Sequence, residues 1–109
     1  MDIELPLPRQ VLVVVKDIVH NVCDNIAIKK IILYGSYSKG NYNDDSDIDL
    51  AFFINDINGN LRQAYNFILR LCSKYDFDVQ PQVFYYYELE QPMGIIEEIV
   101  DFGIDITNI

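Results

Sequence analysis

The sequence is poor in the residues that build metal clusters and disulfide frameworks. It has two cysteines, Cys23 and Cys72, one histidine, His20, and no tryptophan. The cysteines stand far apart in predicted helices, without CxxC spacing or a histidine nearby, so they read as reduced packing residues and not as a disulfide or zinc site. His20 sits in a helical stretch beside Val19 and reads as structural. Basic residues are also scarce. Eight lysines and arginines face seventeen acids, for a formal charge of −9. Only Lys29 and Lys30 are adjacent. Such a surface repels a phosphate backbone, which argues against direct binding of nucleic acid. No apolar run approaches a membrane span. The opening segment Met1–Pro8 lacks the basic and long apolar stretches of a secretory signal. The expectation is a cytoplasmic protein away from membranes.

Half of the 109 residues are hydrophobic, enough for one core. The whole chain, 1–109, is therefore expected to form a single domain. Apolar positions Val11, Val14, Val15, Ile18, Val19 and Val22 recur at helical spacing, predicting a helix from Arg9 to Asn25. The β-branched run Ile28–Tyr34 predicts a buried strand ending at Gly35. A short helical turn is expected through Lys39, then a polar loop from Gly40 to Ser46. A second strand follows from Asp47 to Ile54, and Asn55–Gly59 form a turn. Asn60 is placed to cap a helix running to about Lys74. Asp76–Tyr86 predict a third strand, in which Pro81 marks an edge or a local break in pairing. Pro92–Phe102 predict a last helix with Ile95, Ile96, Ile99 and Val100 inward, and Ile104–Ile106 a short final strand. The sum is a small mixed α/β (α+β) domain, a β-sheet flanked by helices.

Two features carry chemistry. In Gly35-Ser36-Tyr37-Ser38-Lys39-Gly40, a glycine at a strand end lets the backbone turn sharply and come close to a ligand. Ser36 follows with an N–H and a hydroxyl that can donate to phosphate oxygens. Gly40 would let the loop close, and Lys39 could add charge or remain a solvated lysine. In Ser46-Asp47-Ile48-Asp49-Leu50, the aspartates at i and i+2 share one strand face roughly 6–7 Å apart, with hard oxygens suited to Mg²⁺. Two such ions could activate a hydroxyl and stabilise in-line displacement at phosphorus. A third carboxylate would serve as metal ligand and general base. Asp78 is favoured because it lies further into the predicted strand, Asp76 is weaker, and Gln80 shares their face. If the third position is Gln80, the base is missing. Asp44 and Asp45 read as an acidic loop, and Tyr85-Tyr86-Tyr87 as strand aromatics or cover for a partner.

The pattern Gly35-Ser36-x3-Gly40-x5-Ser46-Asp47-x-Asp49-Leu50 resembles the signature of the minimal nucleotidyltransferases of the DNA polymerase β-like superfamily, and the resemblance extends over most of the chain. It implies the polymerase β-like fold and transfer of AMP from Mg·ATP to a hydroxyl. It places the triphosphate at Gly35 and Ser36 and Mg²⁺ at Asp47 and Asp49; the residues themselves add Lys39 and Gly40 beside the triphosphate and leave the third ligand and acid to Asp78, Asp76 or neither, with Asp78 favoured. Many such small proteins resemble antitoxins that adenylylate a HEPN-domain toxin, so a protein acceptor is expected. One alternative is a catalytically weak module that neutralises such a partner by contact. Another is a small-molecule nucleotidyltransferase completed by a homodimer.

Overall fold

The computed structural model describes residues 5–55 and 60–109. Within them, the valine and isoleucine stripe of the first segment folds as helix α1, Arg9–Asn25. Val11, Val15, Ile18, Val19 and Val22 form its buried face. Pro8 precedes it with no side-chain cap, and the Ile26 N–H closes its last turn on the Val22 carbonyl at 2.8 Å. Strand β1 is Ile28–Tyr34, and helical turn α2 is Ser36–Lys39. Strand β2 is Ile48–Ile54, and helix α3 is Leu61–Cys72. Strand β3 is Val79–Tyr85. After a 3-10 turn at Tyr86–Glu90 come helix α4, Ile95–Phe102, and strand β4, Ile104–Asp105. The sequence expectation for Asn55–Gly59 falls largely outside the described residues.

The sheet runs β3-β2-β1-β4. β1 and β2 are antiparallel, with Leu33 opposite Leu50 and Tyr34 opposite Asp49. β3 lies parallel to β2 at one edge, and β4 pairs antiparallel with β1 at the other. An edge tolerates Pro81, because the missing N–H can face away from the neighbouring strand.

Both sheet faces are covered. Ile31, Leu33, Ile48, Leu50 and Phe52 join α1 and Ile68 and Cys72 of α3 in the larger core. The opposite face buries Ile32, Tyr34, Ala51 and Phe53 against Ile96 and Ile99 of α4. The strict alternation of β2 is thus used twice. Its even positions meet α1 and α3. Its odd positions meet α4 at Ala51 and Phe53 and become accessible only toward Asp49 and Asp47.

Some boundaries differ from the sequence reading, each for a local reason. β2 begins at Ile48 and β3 at Val79, where ladder pairing starts, so Asp47 and Asp78 sit just before their strands. Asp78, expected inside the strand, is therefore in its lead-in. α3 stops at Cys72, two residues short of Lys74. α4 starts at Ile95 after the positive-φ Gly94, not at Pro92. Ile95 and Val100, expected inward, are exposed, because a two-turn helix lying on one sheet face buries only one narrow stripe. Tyr86 begins the 3-10 turn instead of ending β3, and Tyr85 and Tyr87 stack at 5.6 Å. Both cysteines are free, with Cys23 exposed and Cys72 buried.

Candidate active site

Gly35 connects β1 to α2 with φ 75° and ψ −149°. This backbone region is essentially restricted to glycine. A Cβ at Gly35 would lie 2.2 Å from Asp49 Oδ2 and 3.4 Å from Asp49 Cβ. The glycine therefore does two things at once: it turns the chain and leaves room for the Asp49 carboxylate. The turn is closed from within. Lys39 N–H and Ser38 Oγ both donate to the Gly35 carbonyl, at 3.1 and 2.9 Å. Gly40, left-handed at φ 80°, ends the turn by donating to the Ser36 carbonyl at 3.0 Å. Tyr37 is buried and stacks on Tyr42 with ring centroids 4.6 Å apart, anchoring the turn to the core.

The following loop is held by its own polar side chains. Asn43 N–H donates to Ser46 Oγ at 2.9 Å, and Asp45 N–H donates to Asn43 Oδ1 at 2.8 Å. The chain then enters β2 with Ile48 fully buried, its N–H donating to the Asp78 carbonyl at 2.9 Å. Burying Ile48 and Leu50 directs Asp47 and Asp49 to the opposite face. The placement of the two aspartates thus follows from the packing of the residues between them.

Asp47 is exposed and Asp49 half-buried. The Asp49 carboxyl is pushed up to about 6, first by burial and then by the negative charges of Asp47, Glu98 and Asp78. Asp47 is raised as well, chiefly by a side-chain hydrogen bond with Asp78. Three other carboxylates thus bear on Asp49, and one of them, Asp78, also bears on Asp47. Asp78 also accepts a hydrogen bond from Gln80 Nε2 at 2.6 Å. Asp78 and Gln80 line an open groove of about 410 Å³ between α3 and the free edge of β3.

Gly35, Ser36, Asp47, Asp49 and Asp78 are accordingly gathered at one end of β2. Asp76 is exposed in the approach to β3. Lys39 is nearby but engaged: its Nζ is 2.8 Å from Glu98 Oε1 on α4 and 5.0 Å above the Phe102 ring. Among the described residues, no three histidine, cysteine, aspartate or glutamate side chains stand together in a way that could hold an ion.

Two further residues belong to the surroundings and escaped the sequence reading. Tyr34 lies opposite Asp49 on β1, and its hydroxyl is pushed up to about 12 by burial, then by Asp49 and Glu98. Glu98 reaches the site from a helix nearly fifty residues further along the chain. Strand register could have suggested Tyr34. No local signal marks Glu98.

Comparison with known proteins agrees with this architecture. The family model described as polymerase beta, nucleotidyltransferase matches residues 16–108. Two proteins of Methanocaldococcus jannaschii, named by inference as protein adenylyltransferases, are similar. One is 26% identical over 82 residues, covering 72% of this chain and 79% of that protein. The other is 40% identical over 47 residues, covering 43% of this chain and 40% of that protein. A crystal structure from Sulfolobus solfataricus, described by inference as a nucleotidyltransferase, superposes with a TM-score of 0.66 at 22% identity. It covers 88% of this chain and 78% of its own. A toxin-antitoxin structure with AMP-PNP superposes with a TM-score of 0.58 at 28% identity, covering 83% and 70%. With the family model spanning nearly all of it and the fold matching, the chain belongs to the polymerase beta nucleotidyltransferase family.

Proposed function

We propose that this nucleotidyltransferase transfers AMP from Mg·ATP to a hydroxyl on a partner protein. One observation carries the reading: Asp47 and Asp49 project from one end of β2 directly beside the glycine-only turn at Gly35, with the Asp49 carboxylate seated against that glycine. The donor set suits a divalent cation, because hard carboxylate oxygens repel each other unless positive charge lies among them. The Asp49 carboxyl is raised first by burial, and the negative charges of Asp47, Glu98 and Asp78 add to it.

In this reading Asp47 and Asp49 hold Mg²⁺, with Asp78 beside Asp47. When bound, the ion supplies positive charge to the triphosphate oxygens. Gly35 lets the backbone come close to the phosphates, and Ser36 offers an N–H and a hydroxyl as donors. Gly40 keeps the loop compact. Lys39 reaches the phosphates only by loosening its bond to Glu98. The acceptor hydroxyl attacks the α-phosphorus as its proton passes to a carboxylate, Asp78 being the one beside Asp47. The new P–O bond forms as the bond to the leaving pyrophosphate breaks.

A protein acceptor is supported by the names of the two M. jannaschii relatives and by the toxin-antitoxin neighbour that carries AMP-PNP. A HEPN-type toxin is the partner we propose, met in the cytoplasm. A contact-only module is the second reading, favoured by Gln80, which lies across from Asp49 where an acid would be useful.

The test is thermal unfolding with and without Mg·ATP, followed by transfer of label from [α-³²P]ATP to co-purified protein. Ligand at 100 times its Kd stabilises the folded state by about 2.7 kcal/mol. A magnesium-dependent shift that vanishes in Asp47→Ala, with label on a partner, is expected. No shift at millimolar Mg·ATP would refute the enzyme reading for the chain alone.

A further inference from the structure

We propose that the third acid position of the site is residue 80, that Gln80 leaves it without a charge, and that an acid placed there completes the divalent-cation site. The inference deepens the proposed nucleotidyltransferase reading and rests on it.

The strand register carries the argument. β3 runs parallel to β2 with Ile48 beside Val79 and Asp49 beside Gln80. Neighbouring strands lie about 4.8 Å apart, and paired residues point to the same face. Gln80 is therefore the side chain next to Asp49 on the face that carries both aspartates. Asp78 is one step back, outside the ladder, where it faces Asp47.

Asp78 is also committed. It is hydrogen-bonded with Asp47 and accepts from Gln80 Nε2 at 2.6 Å. Asp49 is turned the other way, against Gly35 and beside Tyr34. The carboxylates thus divide into a pair, Asp47 with Asp78, and a separate Asp49. This division accounts for the lack of any three converging ligand side chains among the described residues. A carboxylate at position 80 would lie between Asp49 and Asp78 and join the two groups. An amide there donates to Asp78, and its carbonyl oxygen can offer a hard cation only a neutral ligand that brings no charge and does not take up a hydroxyl proton.

Lys39 does not neutralise Asp47, Asp49 or Asp78, since it pairs with Glu98 at 2.8 Å. Gln80 is exposed, so an acid can be introduced without disturbing the core.

The experiment is a Mn²⁺ titration by electron paramagnetic resonance, with α,β-methylene ATP present. It compares the native chain with Gln80→Glu, Asp78→Asn, Asp49→Asn and the double variant Gln80→Glu with Asp49→Asn. Gln80→Glu is expected to tighten Mn²⁺ binding about ten-fold, as affinity at oxygen sites rises with ligand charge. The gain is expected to vanish in the double variant, and a loss in Asp78→Asn as large as that in Asp49→Asn would put the third acid at Asp78 and overturn the proposal. Unchanged or weaker binding in Gln80→Glu would overturn the proposal, as would an equal gain in the double variant. The parent reading is judged separately: native binding lost in Asp49→Asn sustains it whatever Gln80→Glu does. No binding in the native chain or in Gln80→Glu overturns both.

Discussion

Replacing Gly35 with alanine separates two effects that the structure combines at one residue. The first is backbone strain. At φ 75° and ψ −149°, any residue with a Cβ occupies a region costing on the order of 1–3 kcal/mol. The second is displacement, since the new Cβ would be 2.2 Å from Asp49 Oδ2. The carboxylate is the far end of a side chain and can rotate away, so the clash adds little to the folding cost. Rotation instead removes Asp49 from the site. Strain should therefore dominate stability, and displacement should dominate function. For a chain of 109 residues, unfolding entropy gives a Tm change of about 4 °C per kcal/mol, so a drop of about 4–12 °C is expected. Gly40→Ala is the control. Gly40 is left-handed at φ 80°, ψ 9°, and no atom lies within 4 Å of a Cβ built there. It should lose about 1 kcal/mol, or about 4 °C. Differential scanning fluorimetry with and without Mg·ATP reads both effects. Gly35→Ala should lose the nucleotide-dependent shift, and Gly40→Ala should keep it. A Gly35→Ala protein that melts within 2 °C of native, estimated against the strain above, and still responds to Mg·ATP would refute the reasoning.

Two further outcomes follow from named contacts. The Asp49 carboxyl is raised to about 6 in the folded chain, above its ordinary value of 3.8, so the native state binds the extra proton between these values. Stability from this group is present below pH 3.8 and is lost as pH rises through about 6. Asp49→Asn should therefore be more stable than native at pH 7.5 without metal, by about 1 kcal/mol after allowing for solvent screening, and no more stable near pH 3.5. Urea unfolding at the two pH values measures this, and a constant difference would count against the assignment. Asn60 caps α3 by accepting from Gln63 N–H at 3.1 Å. Asn60→Ala should lower Tm by about 4 °C, from a cap contribution of about 1 kcal/mol, with the Mg·ATP response intact.

How far the sequence reads the molecule can be traced through β2. Two aspartates separated by an isoleucine must share a face once Ile48 is buried, because strand side chains alternate. The same local logic sets the α1 stripe, the Gly35 turn, the Asn60 cap and the edge position of β3 at Pro81. These are consequences of neighbouring residues, so the sequence by itself determined them, along with the pairing of a phosphate-type turn with two carboxylates. The third position was not legible. Asp76, Asp78 and Gln80 share a period, and nothing local says which of them stands beside Asp49. That depends on the register between β2 and β3, which pairs Ile48 with Val79 and Asp49 with Gln80. Only the tertiary structure placed Gln80 across from Asp49 and Asp78 against Asp47. It alone brought Glu98 from α4 to Lys39, because an ion pair 59 residues apart exists only when the last helix covers the sheet.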